Sequence, residues 1–488
     1  MSETAEANDR FSKLFARKAP KEKPLVSSEN VPKLLNESPR VIGIMSTPIS
    51  GGGSLDTAVR EVAASGPPLS RGIFGKVVDR ADTRAAPDIR AALLAEMSEL
   101  PDSASSYSMA MHMAVSASEA RDREERDRNL RDATEIALTG LRETGKAFSA
   151  SLSAPCMAVF ALGIMIPMVL MSIVPMLSIG GLFGSSPLSM TQISVFTIVI
   201  IPAAVAAVVL GIKHRNPFLP PDQKRADLKV FLPLLSVPLL FLLLSYAGIS
   251  ADIAGCIACA IGGAISYACV LPAHMRETAR KRCAAGLEDA VFDAGNRLIS
   301  GEGFEDAVLG ALNAREQCRE AAESLRREWA ICRGDTEGAI MRALSPISLT
   351  AAEAFRSICR AASKDLRDAG RLAVSIGRQM KDQRSVRNSI RSDLRSITDT
   401  MSATAAFFAP MVLGLSVAML APVSFLSGAD FSGTSSVLVL YLAELCVLIA
   451  ALNSFLEGDS RPETVARRIS MFLPISAIVF LLSMSVQL

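Results

Sequence analysis

Gly140-Leu-Arg-Glu-Thr-Gly145-Lys146-Ala147 is the nearest thing to a nucleotide site in this sequence. A phosphate-binding loop cradles phosphates with backbone N–H groups, extends a Lys to the terminal ones and holds magnesium with a following Ser or Thr. Here a charged run precedes the glycines where a strand is required, and Ala147 stands in place of the hydroxyl. The pattern predicts no nucleotide hydrolysis, and no cofactor is expected. Cys256-Ile-Ala-Cys259 has the spacing of a redox or metal pair, but it lies in an apolar run rich in Gly and Ala. A redox motif needs a βαβ context and a metal site needs more ligands, whereas small residues at helical spacing suit close helix packing. The nine cysteines are odd in number and scattered, which reads as reduced thiols. His112, His214 and His274 lie far apart in the sequence. No Ser/His/Asp set, paired carboxylates or His-rich cluster suggests an enzyme, so no catalytic residue and no metal ligand is assigned.

Two further patterns bear on partners. Glu444 is the only ionisable residue well inside an apolar stretch; such residues are costly and often mark ion paths. The blander reading packs it against Ser416 or Asn453. Residues 378–395 carry six basic side chains, Arg378, Lys381, Arg384, Arg387, Arg391 and Arg395, against Asp382 and Asp393. At about 100° per residue the bases from 381 onward share one broad face, with Met380, Ile390 and Leu394 beside them. That face suits anionic lipid headgroups or an acidic partner.

The elements that must position these residues are set by charge. Half of the 488 residues are hydrophobic and 20% are charged, with a net charge of +2. That balance argues against a nucleic-acid partner held by bulk charge. No Lys or Arg occurs between Lys146 and Lys213, Lys229 and Arg276, or Arg395 and Arg461, nor after Arg468. A bilayer core of about 30 Å needs roughly 20 apolar residues in a helix, and seven stretches qualify: 155–178, 193–212, 230–248, 253–271, 403–426, 436–456 and 469–487. Their many prolines suit membrane helices, where neighbours satisfy freed carbonyls. With the N-terminus in the cytoplasm, the outside loops 179–192, 249–252 and 427–435 and the C-terminus hold no Lys or Arg, and all 51 lie inside. The expected location is therefore the cell membrane, multi-pass, with the C-terminus outside.

The expected fold is all-α, a polytopic membrane protein with about seven transmembrane helices and two duplicated cytoplasmic helical bundles. Residues 1–40 are charged, contain Pro20, Pro24, Pro32 and Pro39, lack an apolar signal core and read as a flexible tail. Bundle 1 spans 41–150, four transmembrane helices 151–272, bundle 2 273–400 and three more transmembrane helices 401–488. Leu287, Val291, Leu298 and Phe304, Val308, Leu312 show the helical period in bundle 2. The blocks look related: Gly52-Gly-Ser-Leu55-Asp56-Thr-Ala58-Val aligns with Gly301-Glu-Gly-Phe304-Glu305-Asp-Ala307-Val at an offset of 249 residues. Pro-Met-Val-Leu occurs at 167–170 and again at 410–413, an offset of 243. Together these predict an internal duplication.

Paired helical blocks with this Gly-x-[Ser/Gly]-[Leu/Phe]-acid-x-Ala-Val start, each leading into proline-containing spans, resemble the type II secretion F-domain family over about 41–488. Its members are membrane platform proteins of type IV pili, type II secretion, the archaellum and Tad-type pili. Seven spans and a long N-terminal block look more like the archaeal branch; the bacterial pilus branch has three spans, and the chain departs from that. The resemblance implies a non-enzymatic scaffold in the bilayer. Its partners would be a hexameric secretion ATPase, pilin-like subunits and a further copy of itself. A solute transporter is the alternative, with Glu444 in its favour and the large cytoplasmic bundles against it.

Overall fold

A computed structural model describes residues 28–170, 194–219, 228–248, 250–427, 434–458 and 461–485. Among them every regular element is helical and no strand occurs. The chain divides into two compact units, Met1–Ala137 and Leu138–Leu488.

The first unit is a helical bundle: α1 Val31–Ser50, α2 Leu55–Ser65, α3 Pro68–Asp82, α4 Ile89–Ser98, α5 Ser105–Glu119 and the start of α6, which runs from Arg123 to Leu170. Leu34, Val41, Ile42, Met45 and Ile49 of α1 are buried at helical spacing with Val59, Val62, Phe74, Leu93, Tyr107 and Met111. The first helix thus begins nine residues before the expected limit of the tail at 40. Pro32 sits in its first turn, where no N–H is needed. Glu37, expected in that tail, accepts hydrogen bonds from the N–H groups of Leu69 (3.2 Å) and Ser70 (2.8 Å) and from the Ser70 hydroxyl (2.8 Å). Those donors are free at the start of α3, whose preceding Pro67 has no capping side chain. Tyr107 donates to the Ser70 hydroxyl (3.1 Å), and burial pushes its phenol well above the ordinary value.

The second unit holds the rest of α6, then α7 Phe196–Arg215, α8 Ser236–Tyr246, α9 Ala251–Ile299, α10 Phe304–Asn313, α11 Arg319–Ile331, α12 Thr336–Leu344, α13 Leu349–Ala362, α14 Leu366–Met419, α15 Thr434–Leu456 and α16 Pro462–Ser485. Among the described residues six helices, α6, α7, α9, α14, α15 and α16, are long and apolar enough to cross a membrane. This is an all-α, multi-pass membrane protein. The stretch expected at 230–248 forms a shorter apolar helix, Phe231–Tyr246, whose first part is a 3-10 turn over Leu228–Leu235 containing Pro233.

One succession of features occurs twice. Gly52 and Gly301 have φ of +76° and +94°, the left-handed conformation that ends a helix without Cβ strain, and α2 or α10 begins three residues later. Arg84 and Arg333, at the same 249-residue spacing, are the two non-glycine residues of positive φ (55° and 46°) among those described. Soon after, Asp88 accepts from the Ala91 N–H (2.6 Å) to cap α4, and Asp335 from the Gly338 N–H (2.9 Å) to cap α12. Each series closes on a long helix, α6 or α14.

Candidate functional site

Three helices run on from the helical bundles into long apolar stretches: α6 (48 residues), α9 (49) and α14 (54). At about 1.5 Å per residue each is over 70 Å long. Pro272 lies within α9, and α6 and α14 carry π-bulges. The bulges have one sequence rule. Ala161–Met165, Phe196–Ile200 and Thr404–Phe408 each end two residues before a proline, Pro167, Pro202 or Pro410. Proline has no N–H and its ring meets the carbonyl four residues back. The turn widens, and the residue before the proline donates five residues back: Ile166 to Ala161, Ile201 to Phe196, Ala409 to Thr404. The Tyr441 hydroxyl of α15 donates to the carbonyl of Gly163 (2.5 Å), the residue four before Pro167. Tyr441 was not singled out from sequence; its partner is 278 residues away.

Small residues let the long helices touch. A Cβ on Gly295 of α9 would lie 2.8 Å from the Val374 nitrogen of α14, and one on Gly377 would lie 2.8 Å from the Phe292 Cα. Rising numbers in α9 meet falling numbers in α14, so the two run antiparallel. Gly145 of α6 abuts Ile390 of α14, where a Cβ would meet Cγ1 at 2.5 Å. The whole Gly140–Ala147 pattern is therefore a stretch of helix, with its second glycine serving helix contact and no phosphate loop formed. Cys256 and Cys259 are free thiols buried in the apolar cluster with Leu438, Val439 and Leu473, beside Gly255 and Gly262, which abut Val439 and Val237. No group of three His, Cys, Asp or Glu able to hold a metal ion occurs among the described residues.

The structure divides the basic stripe. Arg378, Lys381, Arg391 and Arg395 are exposed along α14. Arg384 is turned inward onto α9, donating to both Asp289 carboxylate oxygens (3.2 Å) and to the Ala285 carbonyl (3.2 Å). Arg384 and Arg387 also lie close to Glu288. Met380, Ile390 and Leu394 are buried beside the stripe. Of the repeated-motif residues, Ala58 and Ala307 are fully buried, Leu55 and Phe304 half-buried, and Gly52, Glu305 and Gly301 exposed, with Asp56 half-buried. They build the bundles; Asp56 and Asp82 both bind Arg60, which holds the Asp82 carboxyl below its ordinary range. Arg461, just before α16, pairs with Glu277 of α9, and Arg468 of α16 pairs with Glu457 at the end of α15. Asn216 donates to the Phe455 carbonyl (2.5 Å) and Lys213 lies 5.0 Å from the Phe455 ring centroid. Glu444 is half-buried in α15.

Comparison of the chain with protein-family models, curated proteins and solved structures returns no match.

Proposed function

We propose that this chain is a non-enzymatic membrane platform for assembling a pilus-like filament or a related secretion machine. In this reading a cytoplasmic hexameric ATPase pushes on the helical bundles, and the spans act on pilin-like subunits in the bilayer. The observation that carries it is the continuity of α6, α9 and α14, which join soluble bundle to membrane helix with no loop to absorb motion. The resemblance over the two Gly-led motifs points the same way.

Two finer features belong to this reading. The paired series of left-handed residues, aspartate caps and proline-linked bulges supports two duplicated bundles, with α1–α6 answering to the end of α9 through α14. The segment 228–246 serves as a seventh span: eight 3-10 residues at about 2.0 Å and eleven α residues at about 1.5 Å reach roughly 32 Å. In the duplicated register, shifted by 243, Lys381, Arg384, Arg391 and Arg395 answer to Leu138, Leu141, Phe148 and Leu152 of α6, all of them buried. The basic face then occurs once per chain, on bundle 2 alone, which suits one docking contact for one partner.

The test is binding of the ATPase to the purified full chain in lipid-free detergent across a salt series. Reversing Lys381, Arg391 and Arg395 to Glu should weaken it most at low salt. Arg384 is excluded because its reversal would break the tie to Asp289. Equal binding by parent and variant at every salt concentration would overturn the docking role and leave the face to lipid headgroups. A solute-carrier reading needs polar groups converging from facing helices. Glu444 instead shares a flank of α15 with exposed Leu440 and Val447.

A further inference from the structure

Cys283 of α9 and Cys318, on the link between α10 and α11, bring their thiols into contact. The two sulfurs lie 4.0 Å apart and unbonded, and Cys318 also donates to the Cys283 carbonyl (3.5 Å). The seat for the second thiol is built into α9: a Cβ on Gly286, one turn on from Cys283, would lie 2.6 Å from the Cys318 Sγ. Arg315 fixes the link against the same helix, donating to the Asp289 carbonyl (3.2 Å) and the Asp293 carboxylate (3.4 Å). Cys359 and Cys446, by contrast, meet the hydroxyls of Thr336 and Ser476. The pair lies just beneath the surface. Cys283 is 8% exposed and Cys318 fully buried, while Arg282, Gln317 and Arg319 beside them are exposed.

A disulfide holds its sulfurs at about 2.05 Å, so closure takes a movement of about 2 Å, which turning the two side chains can supply. The Cys318 S–H holds the Cys283 thiol below its ordinary pKa, against the effects of burial and of Glu320. The thiolate is the attacking form. We propose that Cys283 and Cys318 form an oxidation site that hydrogen peroxide closes to an intramolecular disulfide. The Cys283 thiolate attacks the peroxide: an S–O bond forms and the O–O bond breaks. The departing hydroxide takes the proton Cys283 gave up and leaves as water. Cys318 then attacks the Cys283 sulfur: the S–S bond forms, the S–O bond breaks, and the second hydroxide leaves as water with the Cys318 proton. Two thiols lose two electrons, and one peroxide gains them. The bond would fasten the end of α9 beyond its apolar stretch to the α10–α11 link. Thiols in contact but unbonded suit a bond made under oxidant and undone by a dithiol reductant.

The test starts from the purified full chain in detergent, exposed to graded hydrogen peroxide. The reaction is quenched with iodoacetamide, and the chain is digested without reduction and read by peptide mass analysis. A peptide pair joined through Cys283 and Cys318 should accumulate and should vanish with dithiothreitol. Half-buried Cys332, whose thiol donates to the Trp329 carbonyl (3.2 Å), should add oxygen instead. With dimedone present to trap sulfenic acid, Cys318→Ala should raise the adduct on Cys283 about tenfold over the parent, because the adjacent resolving thiol is gone. Cys283→Ala should leave Cys318 without adduct. Absence of the joined pair in the parent once Cys332 is oxidised overturns the proposal, as does bonding of either thiol to another cysteine. That reading uses the parent alone and stands even if a variant fails to fold. Equal adducts in the two variants would overturn the assignment of Cys283 as the attacking thiol.

Discussion

Replacing Gly145 by Ala should destabilise the protein, although Ala is the better helix former. The added Cβ would lie 2.5 Å from Ile390 Cγ1 and 2.8 Å from Cδ1. Overpacking of this kind costs about 1–3 kcal/mol, and the gain in helix propensity offsets about 1 kcal/mol, leaving a net loss of up to about 2 kcal/mol. Gly75 of α3 is the control, because nothing lies within 4 Å of its would-be Cβ. Gly75→Ala should stabilise by about 1 kcal/mol or less. Ile390→Ala alone empties a buried site, at about 2–5 kcal/mol. In the double variant the methyl group added at position 145 enters that space, so the two losses should fall short of additive by about 1–3 kcal/mol. The assay is the temperature at which half of the purified chain leaves the monodisperse peak in one fixed detergent. If Gly145→Ala and Gly75→Ala shift it in the same direction, and the double variant is additive with its parents, α6 and α14 do not meet at Gly145.

Three further outcomes are expected. A cytoplasm-active reporter should be silent after Ser186 and active after Asn313; the reverse pattern, read by reporter activity in whole cells, would invert the topology. Tyr441→Phe should cost about 1–2 kcal/mol by stranding the Gly163 carbonyl, whereas Tyr246→Phe, at an exposed position, should change the same melting assay little. The Cys318 thiol is held well above its ordinary pKa by its contact with Cys283 (4.0 Å) and by burial. A raised pKa keeps the unreactive thiol form at pH 8, so iodoacetamide followed by peptide mass analysis should find half-buried Cys332 alkylated before Cys318; equal rates would contradict the packing.

The membrane helices were legible because charge cannot be hidden in hydrocarbon, and the gaps in Lys and Arg delimit them. The Gly52 and Gly301 motifs were legible because a left-handed turn demands glycine. The Gly140–Ala147 pattern could be set aside as a phosphate loop from the charged run before it and the missing hydroxyl after it, but the contact of Gly145 with Ile390 could not be read. What sequence missed depends on partners distant along the chain. Arg384 looked like one more base on an open face until Asp289, 95 residues earlier, was brought beside it. Glu37 sat among prolines that suggested a tail, yet it serves a helix start 32 residues on. The prolines announced strain, while the widened turn that relieves each and the phenol that answers one are consequences of packing.

A widened turn holds one residue more than its neighbours, so the helix beyond it is rotated by about 100° relative to an unbroken one. Such a misfit can travel, as a dislocation does, whenever the next N–H along takes over the displaced bond. Here Pro167, Pro202 and Pro410 have no N–H to offer, and each misfit is pinned in place. The azimuth of each membrane segment is thereby locked to that of the helix leading to it. Torque applied at one end of Leu366–Met419 emerges at the other as rotation, without slip at the bulge. Replacing Pro410 by Ala would release that catch and leave the apolar surface area almost unchanged.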